Sequence, residues 1–356
     1  MTRVFELPVG TGRERGLAHG ESFRGEIAAL VALRTYLTRT VGDFESEQAV
    51  LDCARKHLPV LEAYDRELYD ELLGIAEGAN LAPEGILILN HYTDLRDLGR
   101  THQAAADGCS MAWATTPEGP VAGQTWDMHA SAMPFVIMMR DPGGDDRPGS
   151  WLLSLTGCLG MAGVNDHRVS VMINNLTSID AKVGVVWSAL VRRALREQDA
   201  GAAYRCVEEA PVGSGHHYMV CDPQRALGVE TSGTEKRQTL SAESGHYVHA
   251  NHCLDPDIEA RTVVVPNSTT YDRYDWLRSS IEARALSGVD DLWERLGSED
   301  GFPRSVCTLV ASAEEPHRPA TCGALAVNLS TGVIRATAGL THRADGIRLQ
   351  VGQGRG

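Results

Sequence analysis

Gly108-Cys109 is the pair in this chain best equipped for covalent chemistry. Glycine puts no Cβ beside its own carbonyl, so that carbon is open to the next side chain and the backbone tolerates strain. The Cys109 thiol is the most nucleophilic of the common side chains at its free pKa. Attack of that thiol on the Gly108 carbonyl, with water resolving the thioester, cuts the chain and makes Cys109 a new N-terminus. A free α-amino group titrates at roughly pH 7.7–8.0, where a general base works best. One residue then holds both nucleophile and base, and no catalytic histidine is required. The plainer alternative is an ordinary strand with a buried cysteine, a common place for a free thiol.

Other polar positions bear on that chemistry. Asp127 lies eighteen residues after Cys109, at a distance that a hairpin closes, where a carboxylate could hold the α-ammonium; a solvated strand-end aspartate is the alternative. Asn165 and the pair Asn174-Asn175 flank the apolar run Val169–Ile173, and a buried amide there could form one arm of an oxyanion hole or simply make turns. The run Gly245 to Cys253 holds His246, His249 and His252. Spacing of three puts strand residues on alternate faces, which makes a poor zinc site; Asn251 in the same run is the better candidate, as an oxyanion donor. Arg273 sits near a helix start, where its charge opposes the macrodipole and calls for a partner such as Asp127 or a substrate carboxylate. There is no Gly-x-Ser-x-Gly to signal a serine hydrolase.

These residues need elements to position them. Cys109–Thr115 and Val121–Trp126 read as two strands joined by the turn Pro117-Glu-Gly-Pro120. Before them the chain looks helical after a short first strand at Phe5–Val9. Ile27, Leu30, Val31, Leu33 and Leu37 recur at helical spacing; a second helix covers Glu45 to Leu58, with Pro59 interrupting, and a third runs from Leu61 to Gly78-Ala-Asn80. Arg96 to Ala106 is polar and small, an exposed linker in expectation. After Gly108 strands dominate: Phe135–Met139, Trp151–Leu155, Val169–Ile173, Tyr218–Val220, Ala226–Glu230, Tyr247–Ala250, Ser305–Ala311, Thr321–Leu329 and Val333–Ala338. Helical stretches interrupt at Val185–Arg196, Tyr271–Ala285 and Asp290–Leu296. Two sheets flanked by helices fit this order, though periodicity alone admits other mixed layouts.

The 356-residue chain has ordinary globular composition, and its net charge of −14 offers no basic stripe for nucleic acid. Eight scattered cysteines without a CxxC pair suit reduced thiols. The first sixteen residues lack a signal-peptide core and no run approaches 18 apolar residues. The expectation is a cytoplasmic protein without a nucleic-acid or membrane partner.

Together these residues resemble the isopenicillin N acyltransferase family, the autoproteolytic acyl-CoA:6-aminopenicillanic acid acyltransferases, which are N-terminal nucleophile (Ntn) hydrolases. The resemblance rests on Gly16-Leu-Ala-His-Gly20, on Glu71-Leu-Leu-Gly74-Ile-Ala-Glu-Gly78 followed by Ile86–Asn90, which looks like the family's pre-cleavage helix and strand, and on Gly108-Cys109 with Gly123-Gln124-Thr-Trp-Asp127. Asn174-Asn175, Asn251 and Asp272-Arg273 follow in the expected order. Gln124 stands where bile-salt and penicillin V hydrolases usually carry Arg, and Asp272 where the family commonly shows Ser; of the two asparagines, comparison with the hydrolases favours Asn175.

The resemblance implies an α+β, four-layer αββα Ntn-hydrolase sandwich. Residues 1–108 would be a helical pro-segment that stays bound as a small subunit, and residues 109–356 the catalytic subunit. Cys109 would attack an amide or thioester carbonyl; Asn251 and Asn175 would hold the oxyanion, while Asp127 and Arg273 position the N-terminus and substrate. No cofactor or metal is called for. The substrate would be a small N-acyl amide or acyl thioester, with hydrolysis and acyl transfer to a small amine differing only in what enters second. A non-catalytic Ntn-fold scaffold that binds a small ligand is the competing class, and a homo-oligomer stays open.

Overall fold

The computed structural model describes residues 2–99, 108–342 and 346–352. Strand β1 (Val4–Glu6) opens the chain and seven helices follow: α1 (Gly12–Ser22), α2 (Arg24–Val41), α3 (Glu47–Arg55), α4 (Leu58–Tyr64), α5 (Arg66–Ala79), α6 (Pro83–Asn90) and α7 (Tyr92–Asp97). Local signals set their ends. Thr11 and Glu14 form a capping box on α1, Asp65 caps α5 through the Leu68 N–H, and Asn80 closes α5 in the left-handed conformation. Pro59 does not interrupt a helix but begins α4, in the first turn, where its missing N–H costs nothing.

Two of the sequence motifs meet in the α1–α5 crossing. Gly16 and Gly20 of α1 face Gly74 and Gly78 of α5, and a Cβ on Gly16 would overlap the Glu71 carbonyl oxygen, one on Gly78 that of Leu17. The backbones approach that closely only because side chains are missing from both faces. The apolar run Ile86–Leu89 is helical, not the strand that the family likeness implied. It is buried on every side, and a short apolar run has the same pattern in a buried helix as in a buried strand; Pro83 at the first turn marks it as a helix. Arg96 and Asp97 are buried in α7 rather than in an exposed linker; residues 100–106 of that expected linker lie outside the described residues.

The remaining strands are β2 (Met111–Ala114), β3 (Val121–His129), β4 (Val136–Asp141), β5 (Ser150–Leu155), β6 (Ala162–Asn165), β7 (Ser170–Leu176), β8 (Gly215–Cys221), β9 (Ala226–Thr231), β10 (Lys236–Ala242), β11 (His246–His249), β12 (Pro319–Asn328), β13 (Val333–Ala338) and β14 (Ile347–Gln350). The helices among them are α8 (Trp187–Ala194), α9 (Ala200–Glu209), α10 (Pro256–Glu259), α11 (Thr270–Ala283) and α12 (Val289–Leu296). One sheet runs β1-β4-β5-β6-β7-β8-β9-β10, the other β11-β2-β3-β12-β13-β14. Strand β1 lies parallel to β4, so the N-terminal segment supplies the edge of the larger sheet. Ser305–Ala311, expected as a strand, makes only the isolated bridge Leu309–Ala320, while β10, α9 and β6 have no counterpart among the expected elements.

The sheets pack face to face and helices cover both outer faces, giving an α+β four-layer αββα sandwich. Strand β2 shows how the layers are sorted. Met111 and Trp113 enter the main core, whereas Ala112 and Ala114 point the other way, under Leu277, Leu292 and Leu296 of α11 and α12. Alanines on that face let the helices sit close. Polar ties cross between the sheets as well: Ile173 N–H of β7 donates to Oε1 of Gln124 in β3 at 2.7 Å, and Asn174 of β7 meets Nδ1 of His249 in β11 at 2.9 Å. Among the described residues no single helix is long and apolar enough to cross a membrane.

Candidate active site

Four elements converge on the Gly108–Cys109 peptide bond. Gly108 makes an antiparallel bridge with Asp127: its N–H donates to the Asp127 carbonyl at 2.9 Å, and its own carbonyl accepts the Asp127 N–H at 2.7 Å. The hairpin of β2 and β3 thus returns Asp127 beside Cys109. On the other side of the bond, Cys109 N–H donates to Oδ1 of Asn251 at 2.7 Å. Asn251 follows β11, which pairs with β2 so that His249 lies opposite Met111. Arg273 reaches in from the first turn of α11. Its Nη1 donates to the Cys109 carbonyl at 2.7 Å and to Ser110 Oγ at 2.9 Å, its Nη2 to Asn251 Oδ1 at 2.8 Å, and its Nε to Thr269 Oγ1 at 3.0 Å.

The neighbours settle which way Asn251 points. Cys109 N–H and the guanidinium are both donors, so they face its oxygen; Nδ2 donates to the Asn175 carbonyl at 2.9 Å. The turn carrying it is held by Thr270, whose Oγ1 accepts Asn251 N–H at 2.7 Å, and by buried Glu230, which meets His249 Nε2 at 2.8 Å and accepts the Leu254 and Asp255 N–H groups. Asp127 is also braced: Thr321, paired with it across β3 and β12, donates to Oδ1 at 2.8 Å. Its carboxylate lies 4.0 Å from Arg273 Nη1. Burial raises the Asp127 pKa above the usual carboxylate range against the pull of Arg273, and burial lowers that of Arg273. A Cβ on Gly108 would come within 3.1 Å of Arg273 Nη2 and 3.2 Å of Asp127 Oδ2, so glycine makes room for both charges at the bond.

Two cavities meet at this bond, and both touch Gly108, Asp127 and Asn175. One, of about 180 Å³, is bounded by Val263–Thr269, Thr308 and Arg273. The other is walled by Cys109, Tyr92, Trp126, Met161, Ile173 and Trp187, and is the more apolar in its lining residues. Burial pushes up the thiols of Cys53, Cys158, Cys206, Cys221, Cys253, Cys307 and Cys322, holding all seven protonated.

Of the residues singled out in the sequence, Cys109, Asp127, Asn175, Asn251 and Arg273 come together. Asn165 does not: it is buried at the end of β6, donates to the Leu195 and Glu197 carbonyls and accepts Val169 N–H. Asn174 faces the inter-sheet layer. The three histidines diverge, His246 toward Glu282, His249 onto Glu230 and His252 onto Thr270. Asp272 pairs with Arg304 at the surface rather than joining the site. Ser110, Thr270 and Thr321 were not foreseen. Their contacts span up to 194 residues and leave no local signal.

Residues 114–314, more than half of the chain, match the family model described as acyl-coenzyme A:6-aminopenicillanic acid acyl-transferase. The chain belongs to that family and is an enzyme of acyl transfer or amide-bond chemistry. The matched span holds Asp127, Asn175, Asn251 and Arg273 and begins just after Cys109. A relative from Emericella nidulans, the 40 kDa form of acyl-coenzyme A:6-aminopenicillanic-acid-acyltransferase, is 28% identical over 306 residues, covering 84% of this chain and 82% of its own. Similar solved structures include a conjugated bile acid hydrolase mutant from Clostridium perfringens (10% identity, 68% of this chain and 92% of that one, TM-score 0.48) and penicillin V acylase from Agrobacterium tumefaciens (11%, 68% and 86%, TM-score 0.37).

Proposed function

We propose that the chain cuts itself at Gly108-Cys109 and that the released Cys109 then cleaves the amide of a small N-acyl compound through an acyl-enzyme. The observation that carries this is the gripped peptide bond, with its carbonyl oxygen on the Asp127 N–H and its N–H on Asn251 Oδ1, both at 2.7 Å. Negative charge building on the Gly108 oxygen strengthens the first bond. Cys109 Sγ adds to the Gly108 carbonyl carbon, the C–N bond breaks, and the thiol proton ends on the departing amine. Water then splits the thioester into a Gly108 carboxylate and a free Cys109 thiol. Residues 1–108 become a pro-segment that stays attached.

In turnover the α-amine of Cys109 takes the thiol proton and returns it to the leaving amine. With Gly108 gone, the Asp127 N–H is free for the substrate carbonyl, joined by the second N–H of Asn251 Nδ2. Arg273, bonded to the Cys109 carbonyl, Ser110 and Asn251 together, keeps the new N-terminus in place. Seven protonated, unbridged thiols suit a reducing compartment such as the cytoplasm.

The test is the intact mass of freshly purified protein under denaturing conditions. The 38.5 kDa chain should give pieces of roughly 12 and 27 kDa, in proportion to 108 and 248 of 356 residues, with Cys109 leading the larger, while Cys109→Ala stays whole. A cut Cys109→Ala chain would assign the cleavage to another protease. The name of the Emericella relative favours a second reading, in which an amine resolves the acyl-enzyme. Incubation with an N-acyl amide, with and without a competing amine, separates the two by whether free acid or acylated amine dominates.

A further inference from the structure

Two irregular segments wall the cavity of about 180 Å³ beside Gly108. Residues 263–269, between α10 and α11, form one side; Pro303, Thr308 and Val310, between α12 and β12, form the other. Arg304 ties the two together. Its Nη2 donates to the Ser268 carbonyl at 2.7 Å and its Nε to Oδ2 of Asp272 at 2.8 Å. Asp272 precedes Arg273 in the first turn of α11, so the tie is made to the same turn that carries the fork on Cys109. Both side chains are nearly half exposed, 44% for Arg304 and 46% for Asp272. An ion pair in that much water holds weakly and is screened by salt. Its loss would leave each wall its own anchor: Val263 N–H donates to the Thr177 carbonyl at 2.9 Å, and Thr308 N–H to Thr321 Oγ1 at 3.0 Å.

The direction of proton transfer assigns this cavity to one half of a substrate. In the turnover proposed above, the Cys109 amine returns a proton to the leaving nitrogen, and the nitrogen of Cys109 is held on Asn251 Oδ1 at 2.7 Å. Asn251 lines this cavity, whereas Cys109 lines the apolar one. The leaving nitrogen thus departs on the Asn251 side. We propose that this cavity receives the leaving amine, and that the tie from Arg304 to Asp272 and Ser268 limits how bulky that amine can be. Four valines and three prolines in the lining suit a compact alkyl amine. The inference rests on Cys109 being the nucleophile. Asp272 and Arg304 are positioning residues: they act on the substrate through the walls they hold together.

The experiment follows acid release from N-phenylacetyl and N-hexanoyl amides of methylamine, cyclohexylamine and 1-adamantylamine, with wild type, Asp272→Ala, Arg304→Ala and the double variant. Wild type should favour the methylamides over the adamantyl amides by about tenfold or more in kcat/KM, the scale on which pocket fit discriminates. Each single variant should raise turnover of the adamantyl amides several-fold and leave the methylamides within about twofold, as a surface substitution does. The double variant should match the single ones, because the two residues make one tie. In wild type, 1 M sodium chloride should shift the preference the same way by screening the pair, and this arm decides even if a variant fails to fold. A merely structural role for the pair would instead lower turnover of every amide. That result overturns the inference, as does a preference unmoved in the variants or in salt, additive effects in the double variant, or a wild type indifferent to amine size. Absence of acid release and of a trapped acyl adduct on the Cys109 chain, with either acyl group, would sink the Cys109 reading and the inference with it.

Discussion

The backbone N–H of Asp127 points at the Gly108 carbonyl oxygen at 2.7 Å, while the side chain of the same residue faces Arg273 and Thr321. One residue therefore contributes its main chain to the Gly108–Cys109 bond and its carboxylate to the charge balance. The two can be parted by mutation. Asp127→Asn keeps the main-chain hydrogen bond, so slowed self-cleavage should still be seen on a denaturing gel. It leaves the buried guanidinium without its carboxylate, at about 3 kcal/mol, read as a lower urea midpoint. Complete loss of cleavage in a folded Asp127→Asn protein would mean that the carboxylate, not the N–H, is what the cut needs.

Arg273→Lys tests the fork. An ammonium has no planar array with which to reach Cys109, Ser110, Asn251 and Thr269 together. Cleavage should slow by about tenfold or more, matching at least one charge-assisted hydrogen bond at roughly 1.5–3 kcal/mol. Wild-type cleavage kinetics in the lysine variant would show that only the positive charge matters.

Gly16→Ala concerns the helix crossing rather than the site. Its methyl would collide with the Glu71 carbonyl of α5, a backbone atom that cannot swing away. Parting the helices should cost about 3 kcal/mol, at the upper end for overpacking, and lower the melting temperature by several degrees. Gly25→Ala, in α2 where an added Cβ meets nothing, is the control and should be neutral or slightly stabilising.

Acid should loosen the fold. Burial pushes His19, His91 and His129 down to about 3, and His19 Nε2 accepts the Gly157 N–H at 2.9 Å, which an imidazolium could not do. Unfolded histidine titrates at about 6.5, so between about pH 6.5 and 3 the unfolded chain binds more protons. The stability these three supply is complete above that range and falls with pH, by up to about 1.4 kcal/mol per unit for each. Asp97, pushed up to about 6 by burial, and Asp127, also raised by burial, work in the opposite sense and gain as pH falls; two groups do not offset three. Urea midpoints at pH 7.5, 6.0 and 5.0 should decline steadily at constant m-value. A flat or rising series would contradict the buried neutral rings.

Much of this architecture was legible in the chain because it is written locally. Gly108 and Cys109 are adjacent, the hairpin that returns Asp127 has its turn residues, and α5 ends at its Gly78-Ala-Asn80 signal, whereas α1, without apolar periodicity, is not among the expected helices. What escaped depends on distant partners. Ile86–Leu89 has no periodicity to read because it is buried on all sides, packed against α2, α3, α5 and α7. Ser305–Ala311 has strand composition but finds only a single bridge to β12. Asn251 was legible as an amide near the site, yet that its oxygen faces the peptide bond follows from Arg273 and Cys109, both donors brought there by other elements. Thr321 reaches Asp127 only through the pairing of β3 with β12.

The strand β1 carries a consequence for the life history of the molecule. It lies in the larger sheet beside β4, and its segment also contributes Glu71, buried between Arg15 and Arg192. Such a sheet edge and ion pair form while both halves belong to one chain, when each is held at high local concentration by the other. On the proposed self-cleavage, the peptide bond at Gly108 would be an assembly tether that is consumed once it has served. Two halves made separately would have to find each other by diffusion, and a mature molecule that lost its smaller piece would have no tether with which to recover it.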